Sequence, residues 1–254
     1  MNYDELVNTA LDAGFYLLQY GAETYRVEES MQRILVAYGV ENPHVFAITS
    51  CIIVTIKDGE GTPYTQLRRI LHRATDLGKV AKLNDLCRWV CSQKPDFVLA
   101  KSEFKKAAAA PEYGFWFQAA AYGVIGTFFT LFFGGNARDA VIAFFCGSLS
   151  KIVLDSLAKF YSNLLFNNII GAAVIALIAF LSARLGLCDN MDKTIIGPLM
   201  NLVPGVALTN SMRDIISGDL IAGITKLTEA LLIAVAIAIG TGIVISGLRM
   251  VFGM

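Results

Sequence analysis

Histidine is nearly missing from this 254-residue sequence: His44 and His72 are the whole supply, they fall in different predicted elements, and no motif surrounds either one. Neither is placed to act as a metal ligand or general base. A surplus of basic charge is also lacking, since 21 Lys and Arg balance 21 Asp and Glu and the isoelectric point is near 6.7. Nucleic-acid binding, which normally requires a basic face, is excluded on that ground. The amino end, MNYDELVNTALDAG, has no positive stretch leading into an apolar one, so no cleavable signal is expected and the N-terminus is expected in the cytosol. Cysteines number five, an odd count that fits a reducing compartment or lipid surroundings. Cys87 and Cys91 stand four apart on a predicted helix, but a metal centre would need further ligands at suitable spacing, and packing is their expected role. No metal and no cofactor are implied.

Apolar residues are what the chain has in excess. They make up 55% of it, with a mean hydropathy of +0.56, which is too apolar for an ordinary soluble fold. The excess is uneven. Before Pro111 the sequence is rich in charge, and after it charge survives only at scattered points between long apolar runs. Two domains are expected: a small soluble α+β domain over residues 1–110 and a transmembrane helical domain over 111–254.

In the first part, apolar positions Val7, Ala10, Leu11, Phe15 and Leu18 describe one helix between Asp4 and Tyr20. Val27, Met31, Ile34, Leu35 and Tyr38 describe a second, which Gly39 is placed to end. Val45 to Ile56, rich in β-branched residues and too short for a membrane span, predicts one or two strands running into the turn-rich KDGEGTP. TPYTQLRRIL can return as a partner strand. Thr75 or Asp76 can then cap a helix carrying Leu77, Val80, Leu83, Cys87 and Val90. In GAETYRVEE (residues 21–29), Glu23, Glu28 and Glu29 near Arg26 offer carboxylates, but alternating Glu and Arg on an amphipathic helix read first as a solvated face.

The second part opens after Lys101, Lys105, Lys106 and the AAAAPEYG join. A span needs about 20 mainly apolar residues. Phe115–Phe133 qualifies, with Trp116 and Tyr122 near one end as interfacial aromatics. Val141–Leu154 is a shorter run, extended by Ala137 and Ala140 around Arg138 and Asp139. Leu164–Leu187 and Ala230–Leu248 complete four uninterrupted spans.

Between the last two lies TIIGPLMNLVPGVALTNSMRDIISGD (residues 194–219). Ile195 to Leu208 is apolar enough to enter a bilayer but is interrupted by Gly197, Pro198, Asn201, Pro204 and Gly205. Each proline removes a backbone donor and disfavours helix before it. A fourth span broken at Pro198 and Pro204 is therefore expected. Two readings of the break stand side by side: an ordinary proline kink, or a discontinuous helix exposing backbone dipoles to substrate near the midplane, as in transporters. The polar residues that follow, Asn210, Arg213, Asp214 and Asp219, favour function, because polar groups in or beside spans are costly. Glu229, at the start of the last apolar run, is either a proton-relay carboxylate or an interfacial one.

Five spans put the chain ends on opposite sides. With the N-terminus inside, Lys101, Lys105, Lys106, Lys151, Lys159, Arg213 and Lys226 are cytosolic against Arg138, Arg184, Lys193 and Arg249 outside, in agreement with the positive-inside rule. Gly171, Gly240, Gly242 and Gly247 permit close helix packing, within a homo-oligomer or against a partner.

GAETYRVEE, TSCIIVTIKDGEG, KLNDL and above all GPLMNLVPGVALTNSMRDIISGDLIAG, in that order, resemble the threonine/serine exporter family over nearly the whole chain. Members of that family usually have ten spans, a soluble N-terminal portion and five spans being followed by a second membrane half. The resemblance implies the large subunit of a split exporter, partnered by a small multi-span membrane subunit. It further implies a multi-pass protein of the bacterial inner membrane that exports threonine and serine or a dicarboxylate such as succinate. Asn201, Pro204, Gly205, Asn210, Arg213, Asp214, Gly218 and Asp219 fall in the family pattern. Arg213 is expected to hold a substrate carboxylate by bidentate hydrogen bonds. Asn201, Pro204, Gly205 and Asn210 are expected to add neutral contacts, and Asp214, Asp219 or Glu229 to accept a coupling proton. Other classes remain: a structural or regulatory membrane subunit off the transport path, or a membrane-anchored enzyme, although no nucleophile with a base is present to support the latter.

Overall fold

The computed structural model describes residues 2–59, 61–111, 113–158 and 163–252. Lys159, counted among the cytosolic charges, lies outside them, as do Glu60 of the predicted turn and Glu112 of the join. The elements in chain order are α1 (Tyr3–Gln19), α2 (Thr24–Ala37), β1 (His44–Ile48), β2 (Cys51–Lys57), β3 (Pro63–Arg69), α3 (Leu77–Gln93), α4 (Phe97–Ala108), α5 (Phe115–Phe132), α6 (Ala137–Ala158), α7 (Leu164–Arg184), α8 (Met191–Leu199), α9 (Gly205–Ile216) and α10 (Leu220–Phe252). They gather into two compact units, one of Met1–Pro111 with Gly205–Thr228 and one of Glu112–Pro204 with Glu229–Met254. Gly205–Thr228, expected as part of the membrane segment, thus groups with the N-terminal residues.

In the first unit β1, β2 and β3 form an antiparallel meander in which Val54 faces Val45 on one side and Gln66 on the other. Period-2 alternation sends Ile52, Val54 and Ile56 into the core, where they meet Leu6, Val7, Leu11, Val27, Met31 and Ile34 from α1 and α2. Asp76 caps α3 through the Lys79 amide at 2.9 Å. Sequence periodicity missed α4, whose three lysines and one glutamate obscure a buried stripe of Ala100, Phe104 and Ala108. Asp96 starts that helix by accepting from the Val98 amide at 3.2 Å, and the Tyr20 hydroxyl ties its end by donating to the Ala108 carbonyl at 2.9 Å.

In the second unit small residues let α5, α6 and α8 approach closely. A Cβ on Gly147 would run into the Tyr122 carbonyl, and one on Gly126 would lie 3.0 Å from the Ala143 carbonyl and 3.2 Å from the Pro198 ring. Asp139 is fully buried and joins the α5–α6 turn to the loop before α8, accepting from the amides of Asn136 (3.0 Å), Asp189 (2.8 Å) and Asn190 (2.9 Å). Its neighbour Arg138 points instead to Asp189 at 3.7 Å on the surface.

Among the described residues four helices are long and apolar enough to cross a membrane: α5, α6, α7 and α10. The last is longer than the sequence reading, because Lys226 and Glu229 interrupt its apolar run without interrupting the helix. Its 33 residues extend about 50 Å at 1.5 Å each, well beyond the hydrocarbon thickness of about 30 Å. Neither α8, with nine residues, nor α9, with twelve, has the length of a span by itself.

Candidate functional site

The segment after Pro204 builds a polar junction inside the first unit, beginning with how α9 ends. Gly218 takes a φ of +97°, a left-handed conformation that costs a side-chain-bearing residue dearly. Its amide bonds the Ile215 carbonyl at 3.1 Å, and the Asp219 amide reaches back to the Asp214 carbonyl at 2.9 Å, closing the helix in a Schellman turn. The chain then returns along α9 as α10. The crossing is tight, since a Cβ on Gly223 would stand 2.9 Å from the Ser211 carbonyl. This hairpin sets the Lys226 ammonium 2.7 Å from an Asp214 carboxylate oxygen.

The other wall comes from GAETYRVEE. Gly21, at φ +93°, stops α1, and α2 begins at Thr24 with Glu23 in the cap position but making no side-chain capping bond. Asp214 supplies the missing acceptor. One of its oxygens takes the Thr24 amide at 3.2 Å, and the other takes the Thr24 hydroxyl at 3.2 Å. Lys226 also donates to that hydroxyl oxygen, at 3.1 Å. The negative carboxylate thus sits at the positive end of the α2 dipole with every strong donor around it engaged. Asp214 and Thr24 are both fully buried.

Around this centre lie three further contacts. Arg213 hydrogen-bonds Glu23, whose other oxygen is 3.3 Å from Arg26 Nε; Glu23 is mostly buried, whereas about half of the Arg213 side chain is open. The Asn210 amide donates to the Gly21 carbonyl at 3.1 Å. Glu28 accepts from the Ala47 amide at 2.6 Å. Burial pushes the Glu28 carboxyl up from its ordinary value; the Ala47 bond opposes this, and the negative charges of Asp219 and Asp214 add to it. Asp219 is likewise raised, by burial and then by Asp214, with Lys226 opposing. The chemical capacity is plain: a fixed carboxylate, a fixed ammonium, a half-open guanidinium, and two carboxyls inclined to hold protons.

Of the residues singled out from sequence, Asn210, Arg213, Asp214 and Asp219 come together here. Asn201 and Pro204 belong to the second unit, where the Asn201 amide donates to the carbonyls of Tyr122 and Pro198, both at 3.1 Å. Gly205 is the first residue of α9, with open space where a Cβ would stand. Glu229 lies within α10 in the second unit. From sequence Glu23 and Glu28 stand out as carboxylates but read first as a solvated face, Lys226 reads as a cytosolic charge, and Thr24 carries no signal of its own. One signal was present: glutamate is a poor N-cap, so the amides opening α2 needed an acceptor from elsewhere.

Residues 8–247 match the family described as "Putative threonine/serine exporter". The "Probable succinate transporter subunit YjjP" of Escherichia coli (strain K12) is 25% identical over 243 residues, covering 94% of this chain and 94% of that protein. The "Probable threonine/serine exporter" of Mycobacterium tuberculosis is 23% identical over 237 residues, which are 91% of this chain but 44% of the relative. The "Threonine/serine exporter" of Corynebacterium glutamicum is 23% identical over 245 residues, 94% of this chain and 50% of the relative. No solved structure matches the chain. With a match that runs through both walls of the Asp214 junction and all four apolar helices, the chain belongs to the threonine/serine exporter family, whose members act in transport across membranes rather than in catalysis.

Proposed function

We propose that this chain is one component of a proton-coupled exporter for small polar carboxylates: threonine and serine, or a dicarboxylate such as succinate. The observation that carries this reading is the junction at Asp214, which gathers Arg213, Lys226 and protonatable carboxyls within the stretch that the family match covers. Arg213, half open and hydrogen-bonded to Glu23, exchanges that partner for a substrate carboxylate, which can accept bidentate hydrogen bonds from its guanidinium. Asp219, with Glu28 beside it, holds the coupling proton, and Asp214 keeps the two walls together. Asn210 fixes the Gly21 carbonyl next to the clamp. Asn201 and the backbone between Met200 and Pro204 add neutral polar contacts in the membrane segment, and Glu229 is a second relay carboxylate there.

The membrane arrangement that goes with this is a soluble cytosolic domain, residues 1–110, followed by five crossings of a bacterial inner membrane. The fourth crossing runs over Ile195–Leu208 and is broken at Pro198 and Pro204. Lys101, Lys105 and Lys106 before the first apolar helix support the cytosolic N-terminus. A small multi-span partner subunit is supported by the relatives: the protein of matching length is itself called a subunit, and the exporters are about twice as long.

Efflux of preloaded threonine, serine and succinate from cells lacking the chain tests this, with the chain restored alone or with a small membrane partner. Return of efflux for one substrate names the cargo. If none of the three is exported in either case, the exporter reading fails and a structural subunit takes its place.

A further inference from the structure

The second unit holds a charged pair that the junction at Asp214 does not explain. Lys151 and Asp155 sit one turn apart on α6, a helix with the length of a membrane span whose other charges, Arg138 and Asp139, lie in its first turn, and are 2.7 Å apart. Lys151 lies seven residues before the end of α6, a distance of about 10 Å along the axis. Its side chain is only 14% exposed, and Asp155 is 33% exposed. Two ionised groups in such a helix are costly unless they serve a purpose.

The surroundings of Lys151 are polar on one side. Its ammonium lies 5.4 Å from the centre of the Tyr122 ring on α5. The carbonyl of Tyr122 is bonded by the side-chain amide of Asn201, two residues past the end of α8. One turn before Lys151, the hydroxyl oxygen of Ser148 is buried with no hydrogen-bond partner among the described residues. It lies against Gly123, where a Cβ would collide with it. Lys151 and Ser148, one turn apart on α6, thus both face α5, the ammonium toward the Tyr122 ring and the orphan hydroxyl toward Gly123. A buried hydroxyl without a partner is rare in a native fold and marks a place where something else bonds.

We infer that this α5–α6 seam binds a carboxylate of the transported solute, with Lys151 as its anchor, Ser148 as a hydrogen-bond donor, and Asp155 as the resident counter-ion that the carboxylate displaces. The inference rests on the small-carboxylate reading given above and adds a second carboxylate site, in the membrane unit, to the Arg213 clamp. The physical reason is charge balance in a low-dielectric setting. An ammonium there requires an anion at all times, and Asp155 supplies one when the solute is absent. An ammonium on a flexible stem can swing from one carboxylate to another without a change of backbone.

The test is equilibrium binding of radiolabelled succinate and threonine to the purified full-length chain in detergent, for the unaltered protein, Lys151→Met, Lys151→Arg, Asp155→Asn and the double variant Lys151→Met/Asp155→Leu. Loss of one charge-assisted hydrogen bond predicts binding weakened roughly tenfold or more in Lys151→Met and in the double variant. Lys151→Arg retains binding, and Asp155→Asn binds several-fold more tightly because the competing anion is gone. The double variant removes the charges as a pair, so it keeps the fold even if Lys151→Met does not. Unaltered affinity in the folded double variant, or weaker binding in Asp155→Asn, overturns the Lys151 assignment and leaves a structural ion pair. Failure of the unaltered chain to bind either probe overturns both this assignment and the carboxylate reading beneath it.

Discussion

Asp214 closes the N-terminus of the helix that starts at Thr24, 190 residues earlier in the chain, through the Thr24 amide and hydroxyl, both at 3.2 Å. With Lys226 at 2.7 Å on the same carboxylate, one buried side chain ties together α2, α9 and the first residues of α10, up to Thr228, within the first unit. A residue that reads as a proton acceptor from its sequence setting is thereby the fastener of a domain.

Removing either partner of this buried pair should destabilise the first unit. Asp214→Ala leaves Lys226 without its carboxylate and α2 without its cap, a loss of about 3–5 kcal/mol by analogy with broken buried ion pairs. Lys226→Met should cost less, because Thr24 still satisfies Asp214. Apparent melting temperatures of the two single variants and the double variant, measured in detergent, give a coupling energy. Simple additivity of the two effects would show that the pair does not act as one.

Arg213→Ala should lower efflux of the exported carboxylate at subsaturating concentration by roughly tenfold, with Arg213→Lys recovering only part, since an ammonium cannot reproduce the bidentate fork. Melting temperature should change little, because the Arg213 side chain is half exposed. Transport kinetics indistinguishable from the unaltered chain would remove Arg213 from the substrate path.

Stability of the first unit should fall as pH rises above the ordinary carboxyl range. Glu28 and Asp219 are raised in the fold, chiefly by burial, above ordinary values of 4.5 and 3.8. A raised acid holds its proton in the folded state over a window where the unfolded chain has already released it. The favourable contribution is therefore full below the ordinary value and is lost as pH rises through the higher folded one. Glu28→Gln keeps the acceptor for the Ala47 amide and should flatten this slope, as should Asp219→Asn. A thermal-shift profile against pH, unchanged in both variants, would count against the assignment.

Cys87 should resist thiol reagents in the folded chain. Burial, with Cys91 adding to it, pushes its thiol up to about 12, so almost no thiolate exists near neutrality. Maleimide labelling followed by peptide mapping should modify Cys87 only after denaturation. Rapid labelling of the native chain would mean that the seam between α2 and α3 opens.

Legibility from sequence followed the range of each interaction. The strand run from Val45 to Ile56 and the end of the second helix at Gly39 were readable because β-branching and glycine act locally. Helix α4 was not, since Lys101, Glu103, Lys105 and Lys106 interrupt the stripe through which Phe97, Ala100, Phe104 and Ala107 meet the core. Nor was the early start of α10, where Lys226 breaks the apolar run but finds Asp214 in the fold. Among the candidate residues, Asn210, Arg213, Asp214 and Asp219 stood out because they follow a stretch apolar enough to enter lipid. Their partners Glu23, Thr24 and Glu28 did not, because a charge on an amphipathic helix looks solvated until another element covers it.

The sequence by itself determined that this chain carries long apolar helices, a small sheet among amphipathic helices, and the motif order of its family, since all three depend on residues near one another along the chain. Only the tertiary structure decided what the polar residues do. Pairing Asp214 with Thr24 and Lys226, or Lys151 with Tyr122, requires bringing distant segments within a few ångströms. At that range burial and dielectric, rather than residue type, determine whether a charge fastens a fold, holds a proton or awaits a solute.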